Sequence, residues 1–229
     1  MRVNADFSQS VVITPDQHQW VASPQPGVER ILLDRIGAEQ ARATSIVRYA
    51  PDSRFPAHAH PGGEEILVLS GTFSDDSGDY PTGWYLRNPP GSRHTPASAP
   101  GAVIFVKLRQ MPDSEAEAVR IDTRDSARWC VRAGRRVCPL FSRPTEEVLL
   151  MRLTAGETLQ DLSAGGAEIL VVDGGVLHQG RNCAQRSWLR LPPGQAADLV
   201  GGDGGATLYL KTGHLRDPAL TRTDERSRS

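Results

Sequence analysis

The sequence has few cysteines, few aromatic residues and no long apolar run. Its 229 residues include 3 cysteines, and aromatic residues make up 6% of the chain. An odd number of cysteines without a CxxC pair gives neither a disulfide framework nor a cysteine-type zinc finger, so we interpret the three as reduced thiols. Since no apolar stretch approaches the ~20 residues of a membrane-spanning helix, we expect no membrane partner.

The sequence also lacks a surplus of either charge. Lys and Arg total 26 and Asp and Glu total 27, which gives a net charge of -1. This balance gives no reason to expect a nucleic-acid partner. The first ten residues lack the charged start and apolar core of a signal peptide, so the expected location is the cytoplasm.

An internal repeat dominates the organisation of the chain. Segments of the first half recur in the second half at an offset of 103 or 104 residues, as repeated structural units do. The matching pairs are 65–71 with 168–174, 84–91 with 187–194, and 101–107 with 205–211. The repeat predicts two similar units, an N-terminal one over 1–114 and a C-terminal one over 115–215, followed by a flexible tail over 216–229.

Each half consists of short apolar runs separated by Gly, Pro, Asp and Ser. Runs of four to seven residues rich in Val, Ile and Leu are typical of β-strands. The candidate strands are 46–49, 66–69, 103–108, 148–153, 169–172 and 207–211. The segment 113–119 is the only one with helix-favouring composition, and we interpret it as part of the linker. The pattern predicts an all-β chain of two sandwiches or barrels.

Histidines and carboxylates concentrate in the first half. His58 and His60 are two residues apart, so on a strand they point to the same face. A turn follows them, after which Glu64 or Glu65 can return to that face, and His94 can add a third imidazole from a neighbouring strand. Three imidazoles and one carboxylate suit zinc, iron, manganese, nickel or copper. Only one of the two glutamates can point inward, because they are adjacent on one strand.

These residues resemble the two motifs of the cupin superfamily. The first motif places two histidines, a glutamate and a glycine in fixed order, and the second places a glycine, a Pro-x-Gly and a histidine. The corresponding residues are His58, His60, Glu64 and Gly71, then Gly83, Pro89, Gly91 and His94; Asp52 and Ser98 stand where the motifs have glycine and asparagine. The resemblance implies an all-β fold of two tandem cupin (RmlC-like) antiparallel jelly-roll barrels, that is, a bicupin.

A narrower resemblance covers roughly residues 28–109. The run HPGGEE-x-LVL-x-G, with RNPPGSRHTP after it, is similar to the metal-binding cupin domain of ChrR-type anti-sigma factors. This resemblance implies the metal ligands His58, His60, Glu64 and His94. It favours Glu64 over Glu65, and zinc over iron(II) as the bound divalent metal. Glu65 remains the alternative, since it occupies the same place in the repeat as Glu168.

The sequence departs from that family in two ways. It has no His-plus-CxxC set of the kind found in the sigma-binding module, so we do not expect it to bind a sigma factor. The second repeat also lacks the ligands. It has Leu162 and Ala164, or Asp161 and Ser163 in the other register, in place of the first two histidines, and Ala197 in place of His94. We therefore expect a degenerate, metal-free second barrel that serves packing, a subunit contact within a homodimer, or an organic ligand.

Three functions fit these expectations. The first is a metal-dependent sensor or regulatory protein that binds a small molecule in the N-terminal barrel. The second is a mononuclear non-haem metal dioxygenase acting on a diketone or hydroxyketone. The third is a scaffold in which the metal ties strands together. The sequence leaves open whether the protein is an enzyme.

Other charged residues near the motifs have simpler interpretations. Asp75, Asp76 and Asp79 surround a glycine in a predicted hairpin, where such residues usually form the turn. Arginines at 54, 87 and 93 flank the proposed ligands and are interpreted as solvated side chains, with contact to an anionic substrate as the alternative.

Overall fold

The fold was analysed in a computed structural model that describes residues 1–38, 40–160, 162 and 164–216. The described residues form two compact units. The first unit comprises Met1–Ala5 and Gln19–Arg124, and the second comprises Asp6–His18 and the residues from Asp125 onward. Of the predicted tail, Arg216 ends a short helical turn and 217–229 lie outside the described residues.

Strands make up most of both units, as the pattern of short apolar runs predicts. From the N-terminus to the end of the first repeat, the strands are β1 (Arg2–Val3), β2 (Val11–Ile13), β3 (Val21–Ala22), β4 (Val28–Ile36), β5 (Arg42–Tyr49), β6 (Ser53–Arg54), β7 (His58–His60), β8 (Glu64–Asp75), β9 (Gly78–Pro81), β10 (Trp84–Asn88), β11 (Ser92–His94), β12 (Ala97–Ser98), β13 (Ala102–Leu108) and β14 (Val119–Asp122).

The second repeat contains the remaining strands. They are β15 (Cys130–Arg132), β16 (Arg135–Arg143), β17 (Glu146–Leu153), β18 (Thr158–Leu159), β19 (Ala167–His178), β20 (Arg181–Ala184), β21 (Trp188–Leu191) and β22 (Leu199–Thr212). Short 3-10 helices cover Pro15–Gln17, Ser126–Arg128 and His214–Arg216. Each of the six predicted strands lies inside an observed strand. None of the described helices has the length and apolar character needed to cross a bilayer.

All strand pairs given for the described residues are antiparallel. In the first unit the main sheet has the order β1-β4-β5-β13-β8-β10-β14, and β7 pairs with β11 in a separate small sheet. In the second unit the order is β15-β16-β17-β22-β19-β21-β2. Two strand pairs explain why the units differ from the predicted ranges: β2 pairs with β21 of the second unit, and β14 pairs with β10 of the first.

The repeat detected in the sequence is a repeat of structure. Leu86 lies opposite Ile66 between β10 and β8. Leu189 lies opposite Ile169 between β21 and β19, at the same offset of 103 residues. The sequence alignment and the strand register therefore agree residue by residue in the centre of each unit.

One glycine is required at the same place in both units. Gly71 and Gly174 have φ of 73° and 70°, a left-handed conformation that glycine adopts without strain. A Cβ added at either position would overlap a backbone carbonyl, that of Gly101 in the first unit and that of Gly205 in the second. The backbone crossing at these points thus explains why both copies of the repeat carry glycine there.

Each unit has an apolar interior, and the two interiors differ in composition. That of the first unit includes Ile66, Val68, Phe73, Tyr80, Leu86, Ala102, Ile104 and Val106. That of the second unit includes Val137, Leu149, Leu153, Leu159, Ala167, Ile169, Val171, Val176, Cys183, Leu189, Leu191, Ala197, Leu199, Ala206, Leu208 and Leu210.

Candidate metal centre

Two short strands bring the three histidines of the first unit together. His58 and His60 stand at the two ends of β7, and His94 ends β11. The antiparallel register places His94 opposite His58. Because residues two apart share a face of a strand, all three imidazoles lie on one side of this pair of strands. Their ring centroids are 4.7 to 5.1 Å apart.

The ligand atoms of these histidines converge on one point. One ring nitrogen from each of the three lies within 4.8 Å of the other two. His60 Nε2 and His94 Nε2 are 2.9 Å apart, and Glu64 Oε2 is 3.6 Å from the first and 3.5 Å from the second. Nitrogen and oxygen ligands lie roughly 2.0–2.2 Å from a zinc ion, so the His60, His94 and Glu64 atoms are close enough to share one ion, and His58 would have to move slightly closer to join them.

Strand alternation separates the two adjacent glutamates. Glu64 lies opposite Asn88 of β10, and its Oε2 accepts a hydrogen bond from Asn88 Nδ2 at 3.0 Å. Glu65 lies opposite Arg87, and its Oε2 is 3.0 Å from Arg87 Nη1. The structure therefore brings Glu64 beside the histidines and directs Glu65 to the other face of the sheet.

Hydrogen bonds fix the orientation of two of the imidazoles. His58 Nδ1 lies 3.1 Å from the carbonyl oxygen of Pro56, and His94 Nδ1 lies 3.3 Å from Asp75 Oδ2. Both partners are acceptors, so in the neutral tautomer that fits them the proton lies on Nδ1 and Nε2 can coordinate a metal. A histidine that donates its outer N–H to a carbonyl or carboxylate is the usual arrangement in metal sites.

Burial and neighbouring charges shift the pKa values in opposite directions. Burial lowers the pKa of His60; the charge of Glu64 acts to raise it, and the nearby His94 and His58 act with burial, so the pKa is lowered overall. Burial also acts to lower the pKa of His94, but the hydrogen bond to Asp75 and the charges of Glu64 and Asp75 outweigh it, so that pKa is raised. Asp75 thus makes the His94 imidazole a more basic ligand.

The site is open on one side. His58 is exposed, whereas His60, Glu64 and His94 are buried at 8%, 6% and 6% exposure. An ion held by these four residues would therefore be reached from the side of His58. Access from solvent is one requirement of a metal site that binds or transforms a small molecule.

Aromatic side chains form a wall beside the site. Tyr49 contacts Phe55 and Phe73 edge to face, with ring centroids 5.1 and 5.8 Å apart, and the Phe73 ring is 6.0 Å from that of His94. Burial, followed by the charge of Glu64, raises the pKa of the Tyr49 hydroxyl. The hydroxyl therefore stays protonated at neutral pH and can donate a hydrogen bond.

The arginines considered from sequence do not surround the site. Arg87 is fully buried, and it pairs with Glu65 and with Glu115. It is therefore not a solvated side chain, which corrects the expectation for that residue. Arg54 and Arg93 are exposed as expected. Arg93 precedes His94 on β11, so alternation directs it away from the imidazoles.

The aspartates of the hairpin do more than form its turn, which is the role that the sequence predicts for them. Asp75 accepts a hydrogen bond from the Ser77 backbone, as a turn residue does, and its other oxygen contacts His94. Asp76 accepts a hydrogen bond from the Thr95 backbone at 2.8 Å. Turn formation therefore explains only part of the hairpin, because Asp75 also supports the site. No spacing in the sequence indicates this contact.

The described residues of the second unit do not repeat the site. Apolar side chains occupy the equivalent positions: Ala167 aligns with Glu64, Leu191 with Asn88 and Ala197 with His94. Leu162 packs against the same apolar cluster, and Asp161 and Ser163 lie outside the described residues. His178, which aligns with Asp75, is 2.7 Å from the Ala197 carbonyl oxygen through Nδ1. Within the described part of this unit, no group of potential metal ligands converges.

The donor set of the first unit fits a divalent transition metal. Three imidazoles and a carboxylate together suit a borderline divalent ion of the first transition row. A metal held there by His58, His60, Glu64 and His94 would supply a Lewis acid at the mouth of an apolar interior.

Two antiparallel units of this kind, one with a histidine cluster on two short strands, have the architecture of the double-cupin fold. Residues 8–112 match the family model of the ChrR cupin-like domain. The match confirms the resemblance noted in the motifs over that part of the chain. A search of the curated proteins gave no match.

Solved structures support the double-barrel fold. Bacterial pirin YhhW from Escherichia coli, in complex with nickel(II), is 15% identical with a TM-score of 0.67, over 89% of this chain and 98% of that one. A putative dioxygenase from Nostoc punctiforme is 15% identical with a TM-score of 0.71, over 92% of this chain and 85% of that one. Protein Ylba from E. coli is 15% identical with a TM-score of 0.68, over 91% and 93%. At 15% identity, these similarities show a shared fold and nothing more specific.

Proposed function

We propose that the protein is a metal-binding double cupin that holds one divalent transition metal in its first unit and uses it to bind a small molecule. The observation that carries the proposal is the convergence of His58, His60 and His94 with Glu64 on one open point. Zinc is the first candidate because the resemblance to the ChrR cupin-like domain implies it. Iron(II) is the second, and bacterial pirin, which is similar in fold, was solved in complex with nickel(II).

Within this proposal the protein is a sensor or regulatory protein. The metal would bind an oxygen-bearing ligand through its open positions, and the aromatic wall of Tyr49, Phe55 and Phe73 would contact the apolar part of that ligand. The Tyr49 hydroxyl, which stays protonated, could donate a hydrogen bond to an oxygen of that ligand. A cytoplasmic location is part of the proposal, and the three free cysteines support it.

A second candidate function is a dioxygenase of the cupin type. The exposed His58 favours it, because an ion reached from solvent can take both a chelating substrate and dioxygen. The likeness to a putative dioxygenase concerns the fold and is consistent with this reading. The substrate class would be a diketone or hydroxyketone, whose two oxygens chelate one ion.

A chelating probe tests the proposal. We expect acetylacetone to raise the melting temperature of the zinc-loaded protein and to leave that of the metal-stripped protein unchanged. A ligand at 100 times its Kd stabilises the native state by about 2.7 kcal/mol. The metal content is measured again after the titration, so that stripping of zinc by the probe is recognised.

Two further outcomes of the same experiment are informative. With iron(II)-loaded protein in air, oxygen uptake that matches the loss of the diketone would establish the dioxygenase, and binding without uptake supports the sensor. The absence of any probe-dependent shift in both metal forms would contradict a small-molecule site and leave the scaffold interpretation.

A further inference from the structure

Arg120 lies behind the candidate metal site, on the strand that completes the sheet of the first unit. The strand β14 pairs with β10, so Arg120 lies opposite Leu86, two residues from Asn88. Arg120 falls outside the residues that match the ChrR cupin-like domain, which end at 112. Neither the motifs nor the repeat singles it out.

The guanidinium of Arg120 is held by several acceptors. Nη1 donates to the carbonyl oxygens of Arg87 and Val119 at 3.1 and 2.8 Å, and Nε donates to the Tyr80 hydroxyl at 3.3 Å. The guanidinium also lies 5.6 Å from the centre of the Tyr80 ring. These contacts hold the planar guanidinium group in one orientation. The flexible ammonium group of a lysine could not be held in this way.

The remaining guanidinium nitrogen, Nη2, determines the orientation of the Asn88 side-chain amide. Arg120 Nη2 lies 2.5 Å from Asn88 Oδ1. An arginine has only donors, so the amide atom that faces it must be the oxygen. The amide nitrogen of Asn88 is then forced to the opposite side, where it donates to Glu64 Oε2 at 3.0 Å.

We propose that Arg120 is a positioning residue for the metal site: it orients the Asn88 amide, and Asn88 in turn holds the Glu64 carboxylate towards the histidines. The inference rests on the proposed metal binding. Asn88 is 5% exposed and Glu64 is 6% exposed, so water competes little for this chain of hydrogen bonds. Without Arg120 the amide can turn its oxygen towards Glu64, and the carboxylate loses its donor.

The positive charge of Arg120, taken by itself, would change the metal affinity in the opposite direction. A measurement of metal affinity therefore distinguishes the two roles. Arg120 carries a positive charge two hydrogen bonds from Glu64, and a positive charge repels a bound cation. If the charge were its only influence, Arg120→Met would tighten metal binding. The positioning role predicts weaker binding instead, by about 10- to 100-fold, the range observed when outer partners of metal ligands are removed.

The experiment measures zinc dissociation constants by competition with a chromogenic chelator. The proteins are the wild type, Arg120→Met, Asn88→Ala and the double variant. We expect each single variant to lose affinity and the double variant to lose no more than Asn88→Ala alone, because both act through one contact to Glu64. Arg124→Met is the matched control, since the Arg124 side chain is exposed and bonds to Asp122; it should bind as the wild type does.

The possible failures can be told apart. A wild type that does not bind zinc would overturn the proposed function itself. A wild type that binds while Arg120→Met binds equally or more tightly would overturn the positioning role, and so would additive losses in the double variant. If Arg120→Met does not unfold cooperatively, Arg120→Gln takes its place with the same expectation, because its amide can still contact the Arg87 carbonyl.

Discussion

His60→Ala is expected to abolish stable zinc binding by the first unit while the chain remains folded. His60 Nε2 is central to the site, 2.9 Å from His94 Nε2 and 3.6 Å from Glu64 Oε2. Loss of an outer partner of a ligand already lowers metal affinity by about 10- to 100-fold, so loss of a ligand should exceed that range. The measurement is a zinc titration of chelator-treated protein.

The control for this variant comes from the second unit. His178 is also buried, at 4% exposure, and contacts the Ala197 carbonyl oxygen. His178→Ala removes a buried imidazole without touching the candidate site, so its zinc affinity should equal that of the wild type. Equal zinc binding by His60→Ala and the wild type would contradict the assignment of the site.

Leu208→Ala is expected to destabilise the protein without changing its zinc affinity. Leu208 is fully buried in the apolar cluster of the second unit. Truncation of a buried leucine costs about 2–5 kcal/mol, since it leaves a cavity. For a chain of this size that corresponds to a decrease of roughly 4 °C or more in Tm.

A surface leucine provides the comparison. Leu177 is 43% exposed, so Leu177→Ala should change the stability by no more than about 0.5 kcal/mol. Thermal unfolding of metal-free protein and zinc titration are carried out on both variants. A loss of zinc affinity in Leu208→Ala that matches its loss of stability would contradict separate roles for packing and metal binding.

The fold follows from the sequence because the repeat and the strand pattern agree. The offset between the segments around Ile66 and Ile169 is reproduced in the strand register. The extent of each unit does not follow in the same way. The strand β2 (Val11–Ile13) belongs to the second unit although it precedes the first repeat. Its partner strand β21 is distant in the sequence, so the residues around β2 do not indicate the pairing.

In the candidate site, too, some residues can be predicted from the sequence and others cannot. Spacing on one strand and a short turn suffice to group His58, His60 and Glu64, and the motif adds His94. The partners Asp75, Asn88 and Arg120 depend instead on where distant strands meet. Arg120 is 56 residues from Glu64 in the sequence, and only the pairing of β14 with β10 and of β10 with β8 brings the two near each other.

The metal content of the purified protein tests directly whether the first unit binds a metal. Elemental analysis is made on untagged protein purified without chelators, beside a His58→Ala/His94→Ala double variant prepared in parallel. We expect about one divalent transition metal per chain in the wild type and none in the variant. Metal absent from both proteins, even after anaerobic reloading, or present equally in both, would contradict a metal centre built from these residues.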